Sequence, residues 1–137
     1  MNQRQIVLKS MFLIIVAILF FAVYGSVQLS INDFKLKDIC PKLLGIPACY
    51  WVTIFFVIAL FSHLNQKFEK AKYVFFMSIG FVFIMALNGT VTELSGTIVC
   101  PRTSGGTPMC FISLAMCTSL LILKSIELRI QKITTNI

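Results

Sequence analysis

The chain has 137 residues, of which 58% are hydrophobic and 12% charged, and its mean hydropathy is +0.91. An ordinary soluble domain carries roughly 25% charged residues, so this chain cannot cover a water-facing surface with polar groups, and its length suits a single domain. The formal charge of +7 would suggest a nucleic-acid partner in a soluble protein, but the cations sit between long apolar runs, which argues against one.

Four stretches free of charge occupy residues 10–32, 43–66, 73–92 and 103–123. Each supplies the roughly 20 residues that cross a bilayer core, and a backbone there must satisfy its own hydrogen bonds, which leaves α-helix as the spanning form. Helices are predicted near 10–29, 48–65, 73–92 and 108–126. The expected fold class is an all-α membrane protein, one four-helix transmembrane domain over 1–137. A basic start, an apolar run from Met11 and the small residues Gly25 and Ser26 also fit a signal peptide. The run is long for a signal core, so an uncleaved first span is expected.

The basic residues set the orientation. Arg4 and Lys9 precede the first span, Lys67, Lys70 and Lys72 separate the second from the third, and Lys124, Arg129 and Lys132 end or follow the fourth. Only Lys35, Lys37, Lys42 and Arg102 fall on the other side. By the positive-inside rule both termini are cytoplasmic in a cytoplasmic-type (inner or plasma) membrane, with the lipid bilayer as first partner and its anionic headgroups within reach of the cations.

An internal repeat is visible. Gly25-Ser26-Val27, Leu29-Ser30, Cys40-Pro41-Lys42 and Gly45-Ile46-Pro47-Ala48-Cys49-Tyr50 recur as Gly89-Thr90-Val91, Leu94-Ser95, Cys100-Pro101-Arg102 and Gly106-Thr107-Pro108-Met109-Cys110-Phe111. Two parallel helical hairpins are therefore expected, over 10–66 and 73–127, with extracytoplasmic loops 30–47 and 93–107. A pseudo-twofold axis along the membrane normal would relate them, and ligand sites in such folds lie where repeats meet. Gly25, Gly80 and Gly89 are candidates for close helix approach.

Each loop holds two cysteines, and the repeat favours the pairs Cys40–Cys49 and Cys100–Cys110 among the three connectivities. Pro47 and Pro108 suit the first turn of the returning helix, which places Cys49 and Cys110 near the positive end of its macrodipole. Lys42 and Arg102 occupy matching positions as nearby cations that would lower a thiol pKa. Cys49 and Cys110 are thus the candidate nucleophiles, and Cys40 and Cys100 their resolving partners. An oxidising compartment equally turns such pairs into two structural staples, and both alternatives stay open.

Other residues carry less. Cys117 is expected to be an inert small hydrophobe. Met109, Cys110, Met116 and Cys117 are soft ligands that would select Cu(I), but methionine also fills core gaps, and no metal site is assigned. His63, the single histidine, is expected at the cytoplasmic interface, and no intramembrane acid–base group is evident. Glu93, at the outer end of the third span, faces water, pairs with Arg102 or hydrogen-bonds a headgroup ligand. Asn88-Gly89-Thr90 forms a glycosylation sequon too deep in a helix for use.

Four spans with internal termini and paired cysteines at Cys40/Cys49 and Cys100/Cys110 resemble the DsbB and vitamin K epoxide reductase group of membrane thiol oxidoreductases. That resemblance implies electron transfer from an extracytoplasmic thiol protein through the cysteine pairs to a quinone held in the bundle. The short Cys-x-x-Cys of that group is absent here, and its halves are not visibly duplicated. Two functions follow: a thiol–disulfide oxidoreductase using a quinone, or a non-enzymatic, disulfide-stapled scaffold or accessory subunit of a larger membrane complex.

Overall fold

The computed structural model describes residues 2–36, 40, 42–97, 100, 102 and 105–136. Lys37, Pro41 and Pro101, which enter the sequence patterns above, lie outside them. Four helices make up nearly all of the rest: α1 (Gln3–Leu36), α2 (Ala48–Leu64), α3 (Glu69–Leu94) and α4 (Met109–Thr135). Two short strands, β1 (Lys42–Leu43) and β2 (Ile46–Pro47), separate α1 from α2. Helices α1, α3 and α4 are long and apolar enough to cross a membrane, whereas α2 has 17 residues. At 1.5 Å per residue, α2 spans about 25 Å.

Helix α1 outruns its apolar stretch. The first loop was expected from residue 30, but the helix continues to Leu36 and carries Asp33 and Lys35 on its last turns. Nothing between 30 and 36 is Gly or Pro, so hydropathy falls there while the hydrogen-bonded backbone continues. Likewise α4 runs past the expected end at 126 to Thr135 and brings Glu127 inside the helix with Lys124.

Helix α2 begins at residue 48 as expected and α4 one residue later than expected, with the two prolines just outside the helices rather than in their first turns. Pro47 and Pro108 stand at the N-cap with extended backbone (φ −57°, ψ 135° and φ −62°, ψ 130°), so Cys49 and Cys110 are second in α2 and α4. Before α2 the chain makes a two-residue hairpin whose turn residues, Leu44 and Gly45, both have positive φ (55° and 82°). Such turns follow the natural strand twist. Lys42 pairs with Pro47 across this hairpin, and Arg102 forms an isolated bridge with Pro108 in the other loop. At the end of α3, Gly96 (φ 73°) allows the chain to turn back. Its N–H donates to Glu93 O and that of Thr97 to Thr92 O, the paired bonds of a Schellman cap.

The helices form an antiparallel ring in which α1 and α3 each pack against both α2 and α4. Its core is Ile15, Leu19, Ala22, Phe56, Ala59, Phe75, Ile79, Val82, Cys117 and Leu120. Burial follows one spacing in α1 and α3. Ile15, Leu19, Ala22, Ser26 and Ser30 are buried, and so are the residues sixty positions on: Phe75, Ile79, Val82, Ala86 and Thr90. Between α2 and α4 the interval is 61, pairing Phe56 with Cys117, Ala59 with Leu120 and His63 with Lys124. Outward faces remain apolar, with Phe20, Phe21, Tyr24, Met77, Ile84 and Ile122 exposed.

Gly25 and Gly80 do not mediate close helix approach, since a Cβ at either would meet nothing within 4 Å. Gly89 does. A Cβ there would lie 2.8 Å from Cys110 Sγ, so the absent side chain makes room for a disulfide.

Candidate functional site

The structure concentrates polar chemistry at the two ends of the bundle. At the loop end, Cys40 is bonded to Cys49 and Cys100 to Cys110, with Cα–Cα separations of 6.1 Å and 6.3 Å. Each bridge ties the approach to a returning helix to that helix's second residue. Closing loops of about ten residues stabilises the fold by about 2–3 kcal/mol each on the chain-entropy account.

A carboxylate from the preceding helix holds the first cysteine of each pair. Asp33 Oδ1 accepts the backbone N–H of Cys40 at 3.0 Å, and Glu93 Oε2 accepts that of Cys100 at 2.7 Å, both across seven residues. Glu93 Oε1 also accepts from the Arg102 guanidinium at 3.2 Å. Glu93 is nearly buried and Arg102 largely exposed, so the bond to the Cys100 amide is the better sheltered. Glu93 therefore does not face water as a bare interfacial carboxylate. Its role here is to fix the cysteine loop.

Cys40, Cys49 and Cys100 are buried, and Cys110 is half-buried against Gly89. Cys100 Sγ lies 3.6 Å from Gly89 O, a packing contact, since the bridged sulfur carries no hydrogen. Beside the first bridge, Ser30 and Thr53 hydroxyls meet at 3.1 Å, which joins α1 to α2. Cys117, two turns beyond Cys110 on α4, is a free thiol buried in the core. Among the described residues no three His, Cys, Asp or Glu side chains converge as a metal site. Thr90 Oγ1 donates to Ala86 O inside α3, which keeps the sequon helical.

The opposite end, where the termini and the α2–α3 connection meet, holds what sequence reasoning missed. His63, on the last turn of α2, is fully buried within the bundle, with Lys124 and Glu127 beside it. The Lys124 ammonium donates to Glu127 Oε2 at 3.0 Å and to His63 Nδ1 at 3.1 Å. His63 Nε2, 3.4 Å from Phe12 O, is left as the donor to that carbonyl. Gln66 Nε2 completes the cluster by donating to Glu127 Oε1 at 3.1 Å. The ring of Phe12 stacks on His63 with centroids 4.6 Å apart, and the Lys124 ammonium lies 5.4 Å from the Phe75 ring centre.

Two cavities flank this ion pair. One, of about 310 Å³, lies between α1 and α4 and has Glu127 in its wall; the other, of about 280 Å³, has Lys124 in its wall, and Gln66 and Gln131 line both. This buried acid–base cluster is not evident from the sequence, because its members come from α2 and α4, 61 residues apart. Lys124 is a flanking charge in sequence, but its helical position directs it inward onto a partner three residues away.

No protein-family model, curated protein or solved structure matches the chain.

Proposed function

We propose that this protein is a multi-pass membrane scaffold or accessory subunit, braced by two structural disulfides on the extracytoplasmic side and serving a larger membrane complex. The apolar outward faces support membrane insertion, because a soluble bundle would need polar residues where Phe20, Phe21 and Met77 stand. Eight cations at the end with the termini support a cytoplasmic location for that end. The common sixty-residue spacing of buried positions in α1 and α3, which sets Ser26 with Ala86 and Ser30 with Thr90 rather than Gly25 with Gly89, and the matched carboxylate–cysteine bonds support duplication of one helical hairpin about a pseudo-twofold axis.

The observation that carries the structural role is the double clamp on each loop. A thiol that must reach an external partner needs exposure and freedom to rearrange. Here three of the four bridged cysteines are buried and both loop cysteines are pinned through their amides. One feature favours the alternative, an oxidoreductase resembling the DsbB and vitamin K epoxide reductase group. Cys110 is the least buried of the four and lies in the first turn of α4. In that alternative a partner thiolate attacks Cys110 Sγ and Cys100 leaves as thiolate; the partner's second thiolate then attacks its own sulfur in the mixed disulfide and expels Cys110, leaving the partner oxidised, and the Cys100/Cys110 dithiol re-forms its bridge by passing two electrons and two protons to a quinone.

Cys40→Ala and Cys100→Ala variants, acid-trapped in cells and resolved without reductant, separate the two. The scaffold predicts reduced abundance and no discrete adduct. A specific mixed disulfide through Cys110 in the Cys100→Ala variant would overturn it.

A further inference from the structure

We propose that the cavity between the α2–α3 connection and α4 is a binding site for a phosphate monoester, presented by an anionic lipid headgroup or by a soluble organic phosphate. Three lysines from three parts of the chain line it: Lys67 from the connection, Lys72 from the first turn of α3, whose ammonium lies 5.3 Å from the Tyr73 ring centre, and Lys124 from within α4, whose charge is taken up by Glu127. Glu69 is the one carboxylate in its lining; Glu127, the partner of Lys124, lines the other cavity. The chamber therefore keeps a positive balance after the buried ion pair is counted. Ser62, Gln66 and Gln131 add neutral hydrogen-bonding groups to its wall. The positive end of the α3 macrodipole lies at the same end of the bundle.

Size and rigidity point the same way. About 280 Å³ lies just below the range of cavities that hold drug-sized ligands, which suits a headgroup or a small phosphate. Lys124 is held by two hydrogen bonds, to Glu127 and His63, so its position is set before any ligand arrives. Lys67 and Lys72 are exposed and can close on an anion from the rim. A buried ion pair with a histidine beside it is a poor way to gain stability alone. The membrane reading supplies only the lipid source of the phosphate; the cavity itself does not depend on it.

The test uses the full-length oxidised protein in nanodiscs, with native mass spectrometry and thermal unfolding as readouts. Discs of phosphatidylcholine alone are compared with discs containing phosphatidic acid, and glycerol 3-phosphate is titrated into the first kind. Retained phosphatidic acid with a raised unfolding temperature identifies a lipid headgroup site, and saturable glycerol 3-phosphate binding identifies a soluble one. In either case Lys67→Ala with Lys72→Ala should weaken binding roughly 30-fold, given the attraction of each lysine for an anionic headgroup. Arg129→Ala with Lys132→Ala removes two cations that do not line the cavity and should leave binding within about threefold. Equal losses in the two double variants, or no binding of either phosphate by folded protein in the discs, would overturn the proposal. Failure to enter the discs with both disulfides intact would instead count against the membrane scaffold.

Discussion

Glu93 Oε2 receives the backbone N–H of Cys100 at 2.7 Å, so a side chain on the last turn of α3 fixes the backbone that begins a disulfide. Asp33 does the same for Cys40 at the end of α1. Replacement of either carboxylate strands a sheltered amide, and bonds to charged groups contribute about 1.5–3 kcal/mol. Glu93→Ala should lower stability by about that amount in detergent unfolding. Glu93→Gln, which keeps an acceptor, should lie between Ala and wild type; equal stability of all three would refute the clamp.

At the other end, Lys124→Leu or Glu127→Leu alone leaves one buried charge unpaired and should destabilise by about 3–5 kcal/mol. The double Leu variant removes both charges and should recover most of that loss. A double-mutant cycle by thermal unfolding measures the coupling. Additive losses would mean that the ion pair does not form.

Gly89→Ala sets a methyl against Cys110 Sγ and should cost about 1–3 kcal/mol through overpacking. Gly25→Ala meets open space within a helix and should be neutral or stabilising by up to about 1 kcal/mol. Comparing unfolding midpoints of the two variants checks the contrast, and the fraction of Cys100–Cys110 left reduced provides a second readout for Gly89.

The thiols can be counted directly. Native protein should take up no alkylating reagent at Cys117, denatured unreduced protein should take up one equivalent, and denatured reduced protein five. Intact mass gives the numbers. More than one equivalent without reductant would mean that a bridge is open.

Orientation is tested by fusion at the C-terminus. A fluorescent protein that folds only in the cytoplasm should glow there, and alkaline phosphatase at the same point should stay inactive. The opposite pair of results would invert the assignment of the lysine-rich end.

The apolar runs, the cysteine pairs flanking each returning helix and the side occupied by the cations were legible in the sequence, because they are local. Charge-free length marks a helix that needs no polar partner, and ten-residue spacing lets two cysteines meet without knowledge of the rest of the fold. Helix ends were less legible, since Asp33, Lys35 and Glu127 continue helices that hydropathy would stop. The tertiary structure alone decided where these charges point. Asp33 and Glu93 turn toward amides seven residues on, and His63 meets Lys124 across 61 residues. A charge near a span end can face water, lipid headgroups or the bundle, and composition does not distinguish them. The rotation of each helix about its axis, set by packing of Ile15, Phe56, Phe75 and Leu120, makes that choice.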